Sequence, residues 1–276
     1  MRVGLLQTTS SDEPRENAAA LVRAVARAAG DGAELVMTPE VSNCVSADRA
    51  HQRAVLRGED EDTVLSALRE AAAEHGVWVL LGSIAVATDD PDGRFANRSV
   101  LIDAAGDVVA RYDKIHMFDV AVSETETYRE SAGFRPGNRA VLADTPWGGL
   151  GMTICYDIRF PHLYRQLARA GAAFLSVPAA FSPVTGAAHW DVLLRARAIE
   201  TGCFVLAPAQ TGAHPARAGR PRRTWGHSMV VDPWGEVLLD AGDAPGIHVV
   251  DIEPGAVDRA RARIPSVSAD RDWIEP

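Results

Sequence analysis

The chain has 276 residues, of which 47% are hydrophobic and 24% charged, and its formal net charge is −9. This acidic balance, with no basic stripe interleaved with aromatic residues, argues against a nucleic-acid partner. No apolar run approaches the roughly 20 residues that a membrane-spanning helix requires, so we expect no membrane partner either.

Short apolar runs bounded by Gly, Pro and Asp predict the strands. The runs lie at 2–9, 34–39, 77–87, 99–112, 150–155, 174–178, 203–210, 227–232, 236–241 and 247–252. Apolar residues at helical spacing predict helices at 17–30, 63–76, 161–171 and 189–202, and each of these stretches ends on glycine. The N-terminal MRVGLLQTTS is typical of a first strand rather than of a signal peptide.

The alternation of strands and helices predicts an α/β fold whose apolar strands are covered on at least one face. The order strand, helix, strand, helix, strand occurs twice. Each time a hairpin follows, with its turn at 103–109 in the first half and at 232–238 in the second. We therefore expect one domain over residues 1–276, built from two similar halves as a two-sheet sandwich with helices outside.

Three residues at strand ends make a coherent chemical set. Glu40 follows the run 34–39, Lys114 follows the hairpin strand, and Cys155 ends the run LGMTIC. Reacting groups in α/β proteins gather beyond the carboxyl ends of strands. A glutamate can take the proton of a thiol, and a lysine can stabilise the oxyanion of acyl transfer. Spacing alone leaves Cys155 open to a purely structural role and does not join the three residues.

A Cys–His pair is the alternative within thiol chemistry. A papain-like histidine would follow the nucleophile by about 130–150 residues, which lies beyond the last residue of this chain, Pro276. His116 or His189 is then the candidate base, although a lone histidine beside an apolar run is usually structural. The histidines show no HxxxH or HxH pattern, so we expect no metal and no cofactor.

The cysteines give no disulfide framework. Cys44, Cys155 and Cys203 are too few and too scattered, and they form no CxxC pair. We therefore expect a cytoplasmic protein with free thiols.

Three segments, in this order, resemble the nitrilase superfamily of carbon–nitrogen hydrolases: TPE (38–40), YDKIHMFDV (112–120) and GMTICYDIRFP (151–161). The resemblance implies a four-layer αββα sandwich that commonly forms a homodimer. It implies that Glu40 is the general base, Lys114 the oxyanion stabiliser and Cys155 the nucleophile. It also implies a second glutamate that positions the lysine and the base, and Glu130 in YRES fits that place.

The C-terminal half resembles the branch of the superfamily that contains deaminated glutathione amidase and omega-amidase. FSPVTGAAHWDVLLRARAIETGCFVLAPAQTG (181–212) and GHSMVVDPWGEVL (226–238) carry this likeness. It implies an amidase that acts on the terminal amide of a small carboxylate-bearing, 2-oxo substrate through a cysteine thioester, releasing acid and ammonia. It also implies that Arg159 binds the carboxylate, that Phe181 and Thr185 line the pocket, and that the Tyr156 N–H helps hold the oxyanion.

Each pocket residue also has a structural interpretation. Arg159 could pair with Asp157, Phe181 could belong to the core, and Thr185 could cap a helix that opens near His189. His116, Asp191 and the series Arg195, Arg197 and Glu200 are predicted to be structural.

The resemblance does not identify the substrate, because related activities share the fold and two loops are unusual. Omega-amidase, N-carbamoyl amide hydrolase and nitrilase activities are alternatives within the fold, and a non-catalytic binding module is the alternative outside enzymes. The loop 121–134 is acidic. The segment 212–225 is long and basic, and we expect it over the pocket or at a subunit contact.

Overall fold

The computed structural model describes residues 1–122, 127–217, 221–269, 271 and 274, and strands make up its centre. In chain order the strands are β1 (Arg2–Gln7), β2 (Leu35–Met37), β3 (Trp78–Val86), β4 (Ala96–Ile102), β5 (Val108–Asp113), β6 (Asp119–Ala121), β7 (Thr127–Arg129), β8 (Val141–Thr145), β9 (Gly148–Met152), β10 (Ala172–Ser176), β11 (Phe204–Ala207), β12 (Thr211–Ala213), β13 (Arg223–Trp225), β14 (Met229–Val231), β15 (Val237–Asp240) and β16 (Gly246–Asp251).

The helices alternate with these strands. They are α1 (Pro14–Gly30), α2 (Arg49–Val55), α3 (Thr63–His75), α4 (Pro161–Arg169), α5 (Pro183–Thr201) and α6 (Ala256–Arg263). Within the described residues, no helix combines the length and the apolar character that crossing a membrane requires.

Twelve strands form two six-stranded sheets with matching topology. The first sheet has the order β16–β1–β2–β3–β4–β5, and the second has the order β15–β14–β11–β10–β9–β8. In each sheet three consecutive parallel strands (β1–β2–β3 and β9–β10–β11) are followed by two antiparallel ones, and an antiparallel edge strand pairs with the first of the three. This repeat gives the two halves that the element order predicts.

Alternate side chains along the first sheet enter different cores. In β2, Leu35 and Met37 belong to the core between the sheets, whereas Val36 packs with α1 and α3 on the outside. Successive side chains of a strand point to opposite faces, so a strand covered on both faces must be apolar at every position. Helices α4 and α5 contribute to the core on the second sheet. The predicted four-layer αββα sandwich is confirmed.

The two predicted hairpin turns share the same hydrogen bonds. Between β4 and β5, Asp103 Oδ1 accepts the N–H groups of Ala105 and Asp107, at 2.9 Å each. Between β14 and β15, Asp232 Oδ1 accepts those of Trp234 and Glu236, two and four residues further on. Such aspartate turns are favoured because the carboxylate satisfies the turn's own backbone donors.

Several elements differ from the predictions. Helix α5 begins at Pro183 rather than at residue 189, because Pro183 fits the first helical turn and the glycine at 186 lies inside the helix. The sequence analysis missed α2 and α6, the edge strand β8, and the ribbons β6–β7 and β12–β13. These elements are short, and their apolar periodicity is too brief to stand out from a loop.

Gly82 in β3 packs against residues that follow β2 in the first sheet and β10 in the second. A Cβ at this position would lie 1.8 Å from the Thr38 carbonyl oxygen and 2.6 Å from the Pro178 Cβ. We expect Gly82→Ala to lower the free energy of unfolding by about 3 kcal/mol or more, since backbone atoms cannot move aside as a side chain can. Urea denaturation measures this change.

Gly58→Ala is the matched control, because no atom lies within 4 Å of a Cβ built there. We expect that variant to stay within about 0.5 kcal/mol of wild type. Equal stability of the two variants would show that the sheets do not constrain position 82.

Candidate active site

Three segments from different parts of the chain meet beyond strand ends. Glu40 lies in the turn after β2, Lys114 follows β5 directly, and Cys155 opens a 3₁₀ turn after β9. All three side chains are buried. The structure thus brings together residues that their spacing in the sequence could not join.

The Lys114 ammonium lies between two carboxylates. Its Nζ is 2.8 Å from Glu40 Oε1 and 2.9 Å from Glu130 Oε2. Glu130 Oε2 also accepts the Phe118 N–H at 2.6 Å, which fixes this glutamate beside the lysine. A buried charge of this kind persists only when paired and hydrogen-bonded, so the three side chains form one electrostatic unit.

Glu40 is held on both carboxylate oxygens. Asn97 Nδ2 donates to Oε1 at 2.9 Å, and the Ala180 N–H donates to Oε2 at 2.8 Å. The same Asn97 amide lies 3.3 Å from Glu130 Oε1. The negative charge of Glu40 also raises the pKa of the Cys155 thiol, so this carboxylate interacts with both the lysine and the thiol.

The sequence predicts neither Asn97 nor the Ala180 N–H as part of the site. Asn97 opens a run of three polar residues at the start of β4 (ANRSVLI), which resembles the solvent-facing end of a strand. A backbone donor leaves no trace in sequence at all. The burial of Asn97, which only the structure shows, requires its amide to have partners.

The nucleophile turn corrects the strand prediction at 150–155. Strand β9 ends at Met152, and Cys155 has φ +48°, a left-handed conformation that residues other than glycine rarely adopt. Its N–H donates to the Pro178 carbonyl oxygen at 3.0 Å. The predicted strand 150–155 therefore ends early, at Met152, and Cys155 lies in the turn that follows it.

Asp157 anchors this turn from within. Its carboxylate is completely buried and accepts the Ile154 N–H at 2.9 Å and the Tyr112 hydroxyl at 2.6 Å. His116 Nδ1 lies 2.7 Å from the same carboxylate, and its ring stacks on Phe160 at 3.5 Å. Asp157 is therefore not an ion-pair partner of Arg159, and His116 supports the turn through its contacts with Asp157 and Phe160.

The electrostatics favour a protonated thiol beside an ionised carboxylate. Burial raises the pKa of the Cys155 thiol, and the negative charge of Glu40 raises it further, while Lys114 opposes both. Burial alone would raise the pKa of Glu40, but the charges of Lys114 and Arg222 hold it below the usual 4.5. Burial would likewise lower the pKa of Lys114, yet Glu130 and Glu40 raise it.

All the implied pocket residues except Arg159 line a small cavity beside Cys155. Tyr156, Phe181 and Thr185 line this space of about 20 Å³ together with Cys155 and Lys114. The Arg159 guanidinium lies over the rings of Tyr156 and Phe181, at 5.9 and 5.4 Å from their centroids.

The contacts of Arg159, Phe181 and Thr185 test the structural interpretation of each residue. Arg159 Nη1 is 3.3 Å from His189 Nδ1 rather than beside a carboxylate. Phe181 packs on Trp190 as well as lining the cavity. Thr185 lies inside the first turn of α5, with its hydroxyl 3.5 Å from the Ser182 carbonyl oxygen, so it is not the cap of a helix that opens at 189.

The charged series on α5 is structural, as expected. Arg195 lies 4.0 Å from Asp191, and Arg197 pairs with Glu200 at 2.8 Å. Arg197 also donates from Nε to the Ile158 carbonyl oxygen at 2.8 Å. Helix α5 therefore holds the nucleophile turn in place.

The two unusual loops flank the site. Residues 123–126 of the acidic loop and Arg220 of the basic segment lie outside the described residues. Arg222 lines a larger cavity beside Glu40, whereas Arg217 pairs with Glu13 and Glu16. The basic segment thus reaches the site through Arg222.

Asp12, Glu13 and His51 are close enough to hold a metal ion, with one ligand atom of each within 4.8 Å of the others. The Arg217 N–H donates to Asp12 at 2.8 Å, and its guanidinium lies 3.5 Å from Glu13. His51 Nε2 lies 2.9 Å from the Asp12 carbonyl oxygen. These contacts account for the cluster as a structural one.

The lowered pKa of Glu40 links the site to the stability of the fold. Its ionised form stabilises the native state above the ordinary value of 4.5, and this contribution is lost as the pH falls through the lower native value. As the pH falls below 4.5, we expect the free energy of unfolding to decrease less in the Glu40→Gln variant than in wild type. Chemical denaturation at a series of pH values measures that slope.

Glu70→Gln is the control, because Glu70 is an exposed residue of α3. We expect this variant to keep the wild-type slope. A wild-type slope in the Glu40→Gln variant as well would contradict the proposed charge state of the site.

Known proteins resemble this chain over nearly its whole length. The profile of the carbon–nitrogen hydrolase family matches residues 2–262. A deaminated glutathione amidase of Yersinia enterocolitica is 42% identical over 98% of this chain and 92% of its own length. The NitFhit protein of C. elegans has a TM-score of 0.88 and 36% identity over 98% of this chain, which spans 65% of that protein.

A third relative supplies a chemical parallel. The amidase from Nesterenkonia sp. AN1 has a TM-score of 0.77 and 28% identity over 96% of this chain and 98% of its own. One of its structures shows acrylamide added to the active-site cysteine. With its sandwich fold and buried cysteine site, this chain belongs to the carbon–nitrogen hydrolase family of the nitrilase superfamily and is a hydrolase that acts on amides.

Proposed function

We propose that this amidase works through a thioester on Cys155, with Glu40 as general base and Lys114 as oxyanion stabiliser. The observation that carries the proposal is the position of Glu40, which contacts the Lys114 ammonium at 2.8 Å and whose negative charge acts on the Cys155 thiol. A base must lie within hydrogen-bond reach of the proton it removes. Glu130 then positions Lys114, which it contacts through both carboxylate oxygens.

The reaction proceeds in two half-steps with Glu40 as the proton carrier. Glu40 takes the Cys155 proton as the sulfur attacks the amide carbon, and the oxyanion forms beside Lys114 Nζ and the Tyr156 N–H. The C–N bond then breaks, and Glu40 gives its proton to the departing nitrogen. Glu40 next removes a proton from water, which attacks the thioester, and the thiol recovers its proton.

The charge state explains why base and nucleophile must act together. With the thiol pKa raised and the carboxylate pKa lowered, the resting pair is thiol and carboxylate. A free thiolate beside an ionised glutamate would place two negative charges in one buried site. Proton transfer during attack avoids that state, and Lys114 stabilises the charge as it moves to the carbonyl oxygen.

We propose a 2-oxo acid amide as the substrate, with deaminated glutathione first, because relatives of that name share 37–42% identity over almost the whole chain. Arg159 is the proposed carboxylate anchor, since a guanidinium meets a carboxylate with two parallel hydrogen bonds. Phe181 and Thr185 complete this acyl pocket. The expected release of ammonia holds for a primary amide such as 2-oxoglutaramate. It does not hold for deaminated glutathione, whose amide nitrogen carries a substituent, so that substrate releases an amine instead.

The homodimer, the cytoplasmic location and the single domain over 1–276 are also proposals. Exposed apolar side chains on α5 and on the β14–β15 hairpin support a subunit contact, including Ile199 and Trp234. They are neighbours, because the Ile199 side chain packs against Gly235.

The first kinetic test separates the proposed mechanism from a Cys–His pair. We expect Cys155→Ala to abolish amide hydrolysis and Lys114→Ala to lower kcat by about 10²–10³, the usual effect of losing an oxyanion donor. His116→Ala should cost less, because its contacts are to Asp157 and Phe160. Turnover by Cys155→Ala, or a larger loss from His116→Ala than from Lys114→Ala, would exclude the scheme.

The second test concerns the acyl pocket and the alternative specificities. A panel of 2-oxo acid amides, neutral amides, ureides and nitriles identifies the preferred class, with omega-amidase, N-carbamoyl amide hydrolase and nitrilase activities as the alternatives. We expect Arg159→Met to raise KM for carboxylate-bearing amides by about 10–100-fold, as for a charged hydrogen bond. Arg23→Met, an exposed arginine on α1, is the control. Equal effects on neutral and anionic amides would remove Arg159 from its role.

A further inference from the structure

Glu40 lines a large cavity, and Lys114, which it contacts at 2.8 Å, lines a neighbouring cavity that is much smaller. Cys155, Lys114 and the proposed acyl pocket surround the space of about 20 Å³. Glu40, Asn97 and Glu130 instead line a cavity of about 350 Å³, and Phe118 lines both. The larger volume falls within the range of ordinary small-molecule sites. No step of the proposed mechanism uses it.

Three arginines line this larger cavity, and the two that are partly buried, Arg49 and Arg222, have no carboxylate partner; the third, Arg129, is exposed. Arg49 Nη1 donates to Gln52 at 2.7 Å, and Arg222 Nη2 donates to the Ala180 carbonyl oxygen at 2.7 Å. Among the described residues, neither arginine makes an ion pair within 4.0 Å. Arg98 shows the contrast, since it bridges Glu59 and Asp113.

Both arginines retain the capacity to bind an anion. Aromatic rings hold their guanidinium planes, with Phe134 at 5.1 Å from Arg49 and Tyr128 at 5.9 Å from Arg222. The buried Arg222 Nε has no hydrogen-bond partner. Such an unpaired donor beside a polar cavity is a cost that a bound carboxylate would remove.

The reaction itself assigns the two cavities to the two halves of a substrate. The acid that protonates the departing nitrogen must reach that nitrogen, so whatever the nitrogen carries lies on the side of Glu40. The acyl half, with its carboxylate, then lies toward Arg159. The large cavity is the natural place for the amine half.

We propose that Arg49 and Arg222 bind a carboxylate on the amine half of the substrate, so the preferred leaving group is an anionic amine such as a short peptide. This inference rests on the proposed thioester mechanism and deepens it. Ammonia would leave both guanidinium groups and most of the 350 Å³ cavity unused. The chain would therefore favour deaminated glutathione, whose amine half ends in a carboxylate, over 2-oxoglutaramate, which shares its acyl half.

Arg49 gives the cleaner test, because Arg222 also influences the pKa of Glu40. We expect Arg49→Gln to lower kcat/KM for deaminated glutathione by about 10–100-fold, as for a lost charged hydrogen bond, and to lower it much less for 2-oxoglutaramate. Arg53→Gln is the matched control, because Arg53 is exposed on the same helix, α2. It should leave the ratio of the two values unchanged.

A substrate variant supplies the reciprocal measurement. Deaminated glutathione with its C-terminal carboxylate converted to an amide should react with wild type about as poorly as the natural compound reacts with Arg49→Gln. The Arg49→Gln variant should barely distinguish the two compounds.

The outcomes separate this inference from the mechanism beneath it. The amine-side site is wrong if Arg49→Gln lowers kcat/KM equally for deaminated glutathione and 2-oxoglutaramate. It is also wrong if wild type hydrolyses deaminated glutathione equally well with and without the C-terminal charge. In either case the thioester scheme stands. If wild type hydrolyses neither deaminated glutathione nor 2-oxoglutaramate, the proposed substrate class fails and this inference fails with it.

Discussion

The buried contact between Lys114 and its two glutamates is the constraint on which the rest of the structure depends. Removing such charges from water costs several kcal/mol for each ion, and only close pairing and hydrogen bonding offset that cost. Glu40 comes from the first sheet's β2 end and accepts the Ala180 N–H beyond the second sheet's β10 end. The charge cluster and the packing of the two sheets are therefore linked.

The backbone is strained at two residues of the active site, one next to Glu40 and one at the proposed nucleophile. Val41 and Cys155 have φ values of +47° and +48°, and such conformations in residues other than glycine cost of order 1–3 kcal/mol. Each is fixed by a backbone N–H hydrogen bond, from the Val41 N–H to Ser83 Oγ at 2.7 Å and from the Cys155 N–H to the Pro178 carbonyl oxygen at 3.0 Å. Asp157 and helix α5 then hold the nucleophile turn.

The sequence is most informative where a local pattern has a local cause. The apolar runs, the glycines at 76 and 202 that end α3 and α5, and the two aspartate turns all predict their elements, because each reports a short-range requirement. The motifs around Glu40, Lys114 and Cys155 also indicate thiol chemistry. Their meeting depends on sheet packing between distant segments, which no spacing reveals.

The features that sequence reasoning missed are those decided by tertiary contacts. The left-handed turn at Cys155 depends on hydrogen bonds to Asp157 and Pro178, and the role of Asn97 depends on two carboxylates from other segments. The arginines of the larger cavity come from α2 and from the basic segment, 173 residues apart at positions 49 and 222. Only the fold shows that they face one volume.

The central claim is that amide hydrolysis passes through a thioester on Cys155, and mass spectrometry of acid-quenched enzyme during turnover tests it most directly. The account predicts that the peptide containing Cys155 gains the mass of the acyl half alone, and that hydroxylamine removes this group. An acyl group on another residue would contradict the account, as would turnover through an adduct that still retains the amine.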